Sequence, residues 1–180
     1  MNRITADLNS WIIQDGNYDD FHCGDRRKLA FEFGGTRLTP SNDRARQCSH
    51  NHGSIYTVTA QVAFAHPKVW VIDFGVLAYW ESPPPDFAKV GAWVTGEILI
   101  GVDPFFYKEY LCQVPEMPDL FNEWVVSRIE LNTTPWIQTT ESGRKVLARD
   151  QAAEAWAEVE ATDAWNDDQC RASYLLCLEK

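Results

Sequence analysis

The chain is short of the features that announce chemistry. No run approaches the ~18–20 consecutive apolar residues that a membrane-spanning helix needs. The most apolar region, residues 56–80, is interrupted by Gln61, His66, Lys68 and Asp73. The opening stretch "MNRITADLNSWIIQDG" has neither the apolar core nor the small-residue cleavage site of a secretory signal. The five cysteines are odd in number and irregular in spacing. They make no disulfide framework, so a cytoplasmic protein with reduced thiols is expected. Gly-rich phosphate loops, CxxC, HExxH and GxSxG patterns are all missing. Without them there is no motif-based ground for nucleotide, zinc-protease or serine-hydrolase chemistry, and no cofactor is expected. Asp73-Phe74-Gly75 shares its letters with the magnesium-holding element of kinases, but no His-Arg-Asp loop accompanies it.

Positive charge is also scarce. The sequence has 16 Lys and Arg against 26 Asp and Glu, a net charge of −10. The deficit is uneven: residues 1–90 hold 10 acids and 9 bases, residues 91–180 hold 16 acids and 7 bases. An acidic half of this kind repels nucleic acid, whose binding needs clustered Lys and Arg, and attracts a basic protein instead. Neither nucleic acid nor membrane is expected as a partner.

What the chain does have is bulk. Its 180 residues are 45% hydrophobic and 13% aromatic, with 8 Trp, enough for one domain spanning 1–180 with a sizeable core. The patterning predicts an α+β fold: a mostly antiparallel sheet of about four to six strands with two or three helices. Ile4, Leu8, Trp11 and Ile12 fall at helical spacing near the N-terminus. "KLAFEFGG" alternates as a half-buried strand, and the polar residues 35–53 read as a long loop. Ser54–Ala65 and Val69–Trp80 read as two long strands joined by a turn at "HPK". The second is stopped by "SPPPD", whose prolines cannot donate ladder hydrogen bonds. "AWVTGEILIGV" and "VVSRIEL" are further strands. "DPFFYKEYLCQV" reads as a helix with Asp103 as N-cap and Pro104 in first position. Residues 150–165, Ala-rich and led by Asp150, read as the clearest helix, and the C-terminal "CRASYLLCLEK" fits strand or helix.

Two groups of residues are candidate sites. Cys48, His50 and His52 alternate, so in an extended chain they share one side, and His22 or Cys23 from the other polar loop would supply a fourth zinc ligand. With no tighter ligand pairs in support, the expectation is that this cluster holds no metal. Asp19 and Asp20 beside His22 offer a weaker general acid–base site or divalent cation site. The second group is a binding face. Glu154, Glu158 and Asp163, spaced as on the exposed side of a helix, would meet a basic partner. Trp93, Phe105 and Tyr107 would be its aromatic anchors, if exposed. The expected function is therefore a protein-binding module, of the inhibitor or immunity type, for a basic partner. The alternative is a small enzyme or metal-binding protein built on the loops around His22 and His50.

Overall fold

Ile4, Ala6 and Leu8 are all fully buried, an every-second-residue pattern that only a strand produces. The N-terminal segment is accordingly a strand followed by one short helix. The computed structural model describes residues 2–35, 37–141, 143–167 and 170–180. In chain order its strands are β1 (Arg3–Asn9), β2 (Arg26–Leu29), β3 (Phe31–Gly34), β4 (Thr39–Pro40), β5 (Gln47–His52), β6 (Ile55–His66), β7 (Val69–Asp73), β8 (Leu77–Trp80), β9 (Trp93–Val102), β10 (Asn122–Asn132), β11 (Trp136–Glu141), β12 (Arg144–Arg149), β13 (Trp156–Val159) and β14 (Ser173–Glu179). The helices among the described residues are α1 (Ser10–Gln14) and α2 (Phe106–Glu109), with 3-10 turns at Leu111–Gln113, Gln151–Ala153 and Ala164–Asn166.

The α+β expectation is thus overturned: the protein is mostly β, and its helices are one-turn connectors. Strands β9, β3, β8, β7 and β6 follow one another in that order, and β6 pairs back onto β9 to close a five-stranded barrel. The sheet does not end there. It continues outward from β9 through β1, β14 and β10, with β2 and β13 on the far side of β10, while β5 extends it beyond β6. The ribbon β11–β12 pairs only with itself.

One core fills the barrel and runs under the extension, from Phe33, Val58 and Ile72 to Trp124, Leu176 and Leu178. A second, smaller one lies outside the barrel, where Tyr107, Leu111 and Leu120 cover Ala30, Val71 and Tyr79.

Several local expectations change for stated reasons. β6 and β7 do pair antiparallel, but the strand expected over Val69–Trp80 breaks at Phe74–Val76 and folds back as the β7–β8 hairpin. Gly75 takes φ 107°, and its N–H donates to the Asp73 carboxylate at 2.9 Å, making a tight turn that an L side chain resists. The polar stretch 35–53, expected as loop, contains β4 and β5. β5 is an edge strand of polar residues, with its register set by β6. Asp103 does cap α2, though from further upstream: its carboxylate accepts the N–H groups of Tyr107 at 3.0 Å and Lys108 at 3.2 Å.

The predicted helix over 150–165 is absent. Asp150 caps only a 3-10 turn, accepting from Ala152 N–H. Trp156–Val159 instead pairs with β10, placing Ala157 opposite Leu131 and Val159 opposite Ile129. Strand pairing here outweighs the modest helix propensity of an Ala-rich segment. The C-terminal segment resolves as β14.

Candidate functional site

The register of the extended sheet produces a pattern invisible in the linear sequence. Glu158 on β13 stands opposite Glu130 on β10, and Glu130 opposite Leu175 on β14. Leu175 stands opposite Asp7 on β1, Asp7 beside Gly101 on β9, Gly101 opposite Glu32 on β3, and Glu32 beside Tyr79 on β8. Directly paired residues point to the same side of a sheet. Four carboxylates therefore share one row across seven strands, on the face turned away from the main core.

Each member is placed by its neighbours in sequence. Asp7 lies between buried Ala6 and Leu8, Glu32 between buried Phe31 and Phe33, and Glu130 next to fully buried Ile129. The apolar residues fix which face is inward, so the acid between them goes outward. Gly101 matters at the centre. A Cβ there would meet Glu32 Oε1 at 3.2 Å, so the missing side chain lets the Glu32 carboxylate lie across β9 towards Asp7.

The electrostatics are unfavourable to charge in the middle of the row. Burial pushes the Glu32 carboxyl up to about 7, with Asp103, Asp7 and Glu81 adding repulsion. Burial also raises Asp7, against hydrogen bonds donated by Ser173 at 3.1 Å and Asn9 at 2.9 Å. Beyond Glu32, Tyr79 donates to the fully buried Asp103 at 2.6 Å. At the outer end, Glu130 and Glu158 form a like-charge cross-strand pair, an arrangement that destabilises a sheet. Arg128 relieves it on one side, 3.2 Å from Glu130.

A cleft of about 280 Å³ opens on the same face over Asp7 and Leu175. The tip of the β5–β6 hairpin forms one wall with His52 and Gly53, and Glu154 with Trp156 forms another. Gly53 sits close on Leu175, where a Cβ would contact the leucine methyl at 3.8 Å.

The residues expected from sequence fall in different places. Glu154 is exposed at the cleft and accepts from Trp156 Nε1–H at 2.9 Å. Glu158 is exposed in the row, on a strand where a helix was expected. Asp163 is exposed beside the last 3-10 turn, next to Trp165, which is 59% exposed. Trp93 is half-buried at the start of β9. Phe105 and Tyr107 are buried at 2% and 3%, so they hold the inner side of α2 in place and present nothing to a partner. Phe106 and Tyr110 take the outer side instead.

The ligand-rich stretch of β5 does not converge. A bulge between His50 and His52 breaks the every-second-residue alternation that would have aligned them. His50 Nε2 lies 2.7 Å from the Gly53 carbonyl, and its ring packs on Tyr56. The Cys48 thiol packs against the core, and burial pushes it up to about 11. His22 pairs with Ala161, and the Cys23 thiol donates to the Val159 carbonyl. Asp20 clamps Thr162 and Ala164 N–H. Among the described residues no three His, Cys, Asp or Glu side chains are placed to hold a metal ion, and no helix is long and apolar enough to cross a membrane.

Sequence reasoning passed over Asp7, Glu32 and Glu130. Each is a carboxylate inside an otherwise apolar alternation ("ITADLN", "FEF", "RIEL"), and that was the available signal. No family model matches the chain, and neither a curated protein nor a solved structure is significantly similar to it.

Proposed function

We propose that the protein is a binding module of the inhibitor type, which engages a basic protein through the carboxylate row and the acidic edge beside it. The observation that carries this reading is the row itself: Glu158 and Glu130 are adjacent, Asp7 follows beyond Leu175 and Glu32 beyond Gly101, with a cleft open above Asp7. Repulsion along the row is relieved when Lys or Arg side chains are brought against it, so the charge pattern favours the bound state of a basic partner.

The edge adds to the same field. Between Arg149 and Arg171 the sequence has seven acids and no base, and β13, within that stretch, is a terminal strand of the sheet. Trp165 is the exposed aromatic nearest these acids in sequence and serves as the anchor, since Trp is favoured at interface hot spots. The same acids disfavour nucleic acid. The setting we propose is the cytoplasm, where the five cysteines, all free thiols, stay reduced.

The test uses the protein immobilised as bait in extract from its own source, with captured proteins identified by mass spectrometry. The partner should be basic, and its association should slow as salt rises, because charges at an interface act over a Debye length of ~8 Å at physiological ionic strength. An E130Q/E158Q variant should slow association likewise, and Trp165→Ala should speed dissociation. A captured partner that is acidic, or whose binding is indifferent to salt and to both variants, removes the basis of the proposal.

A further inference from the structure

The cleft above Asp7 extends from the carboxylate row towards a second row on the same sheet face. Two residues along each strand from Glu158, Glu130 and Leu175 stand Trp156, Asn132 and Ser173, which point to the same side. Trp156 is directly opposite Asn132, and Ser173 opposite Asn9. Asp7 and Leu175 form the floor of the cleft, with the β5–β6 tip on one side and Gln151, Glu154 and Trp156 on the other.

Three of these groups are set for a cation. Asp7 is held by the Ser173 hydroxyl, which donates to Oδ1 at 3.1 Å, and by the Asn9 amide, which donates to Oδ2 at 2.9 Å. Glu154 is held by Trp156 Nε1–H, which donates to Oε1 at 2.9 Å, and the same bond fixes the indole.

Elsewhere the chain supplies such groups with its own cations. Asp25, Asp73, Glu130 and Glu179 each face an arginine, and Arg149 lies 4.3 Å from the centre of the Trp136 ring. Among the described residues no Lys or Arg pairs with Asp7 or Glu154, and none lies over Trp156. The lining of the cleft contains neither Lys nor Arg. Burial works against the Asp7 charge, a penalty that a cation brought against it removes.

We infer that this cleft takes the guanidinium group of one arginine side chain, with Asp7 and Glu154 as its counter-ions and the Trp156 indole as the flat surface beside it. The arginine belongs to the basic partner on the reading already given of the carboxylate row, because the cleft opens on the face that carries the row. A lysine fits less well. Its ammonium is a compact point charge that one carboxylate satisfies, whereas a planar guanidinium has five N–H donors, meets two carboxylates at once and stacks on an indole. At about 280 Å³ the cleft has room for one such side chain.

The probes are N-acetyl-arginine amide, its uncharged isostere N-acetyl-citrulline amide, and N-acetyl-lysine amide. Each is titrated into protein labelled with nitrogen-15. The Trp156 indole N–H resonance, assigned by its loss in Trp156→Phe, reports on the cleft because its proton is bonded to Glu154. The arginine amide should shift that resonance saturably, with the millimolar affinity of so small a ligand. The citrulline amide should leave it in place, and the lysine amide should bind several-fold more weakly. Asp7→Asn should weaken the arginine amide about ten-fold, the worth of one charge-assisted hydrogen bond. Should that variant fail to fold, Glu154→Gln, at an exposed position, should weaken it several-fold. No saturable shift with the arginine amide, or an equal response to citrulline or lysine, overturns the inference whatever partner is captured. An arginine amide that binds while the captured partner is acidic overturns instead the reading of the row, and with it the source of the arginine, so the two failures are told apart.

Discussion

Replacing Glu32 by glutamine should stabilise the protein by an amount that depends on pH. Burial, with repulsion from Asp103, Asp7 and Glu81, pushes the Glu32 carboxyl from its ordinary 4.5 to about 7. Below pH 4.5 both the folded and the unfolded chain carry the protonated acid, and the stability associated with this group is fully present. Between 4.5 and 7 the unfolded chain ionises while the folded one keeps its proton, and stability is lost as the pH rises through that window. At 1.36 kcal/mol per pH unit the gap amounts to roughly 3 kcal/mol above pH 7. Asp7 titrates beside it and shares part of that figure. Glutamine carries no charge at any pH, so the gain of Glu32→Gln over wild type should rise from near zero at about pH 4 to about 2–3 kcal/mol at about pH 8. Urea titrations of both proteins across this range read the difference directly. A difference that stays flat with pH, or a variant less stable than wild type at the alkaline end, would refute the reasoning that places a charge-averse carboxyl at the centre of the row.

Two further expectations test the architecture. Phe74, 3% exposed at the β7–β8 turn and part of the main core, should cost roughly 3–5 kcal/mol when truncated to alanine, and a loss under ~1 kcal/mol in denaturant would mean that its ring is not packed. Gly96→Ala should destabilise the protein and displace Leu38 from the core. Its Cβ cannot share space with the Arg37 carbonyl at 2.6 Å, and unchanged thermal stability would show that residues 37–40 do not lie on β9.

How far the sequence can be read depends on where the information resides. β6 and β9 were legible because their own alternation is strong: Tyr56, Val58, Ala60 and Val62 face inward in one, Val94, Ile98 and Ile100 in the other. β1 was misread because Ile4 and Leu8 satisfy helical and strand spacing alike. The deciding residue is Ala6, buried at 0% yet too small to weigh in a hydrophobic pattern. β13 was misread because its structure comes from its pairing with β10, 24–30 residues earlier in the chain and on the flank of β10 away from β14, and not from its own alanines. The carboxylate row was out of reach for a related reason. Each acid is local, but the row exists only once the registers of seven strands are set, and no pattern within one strand encodes them.

The position of β1 has a consequence for how the chain is made. β1 lies between β14 and β9, yet β9 offers it only the Asp7–Gly101 pairing, while β14 pairs with all seven of its residues. Its main partner is therefore synthesised long afterwards, with Thr5 and Cys177 in contact across 172 positions. At ~5–20 residues per second of elongation, β1 waits on the order of ten seconds or more beside a largely complete barrel, with one flank of its backbone unpaired. Closing so distant a pair is slow. The extension carrying Asp7, Glu130 and Glu158 is thus assembled only once β14 has been made, and a nascent chain shielded by a chaperone during that interval gains most at this strand.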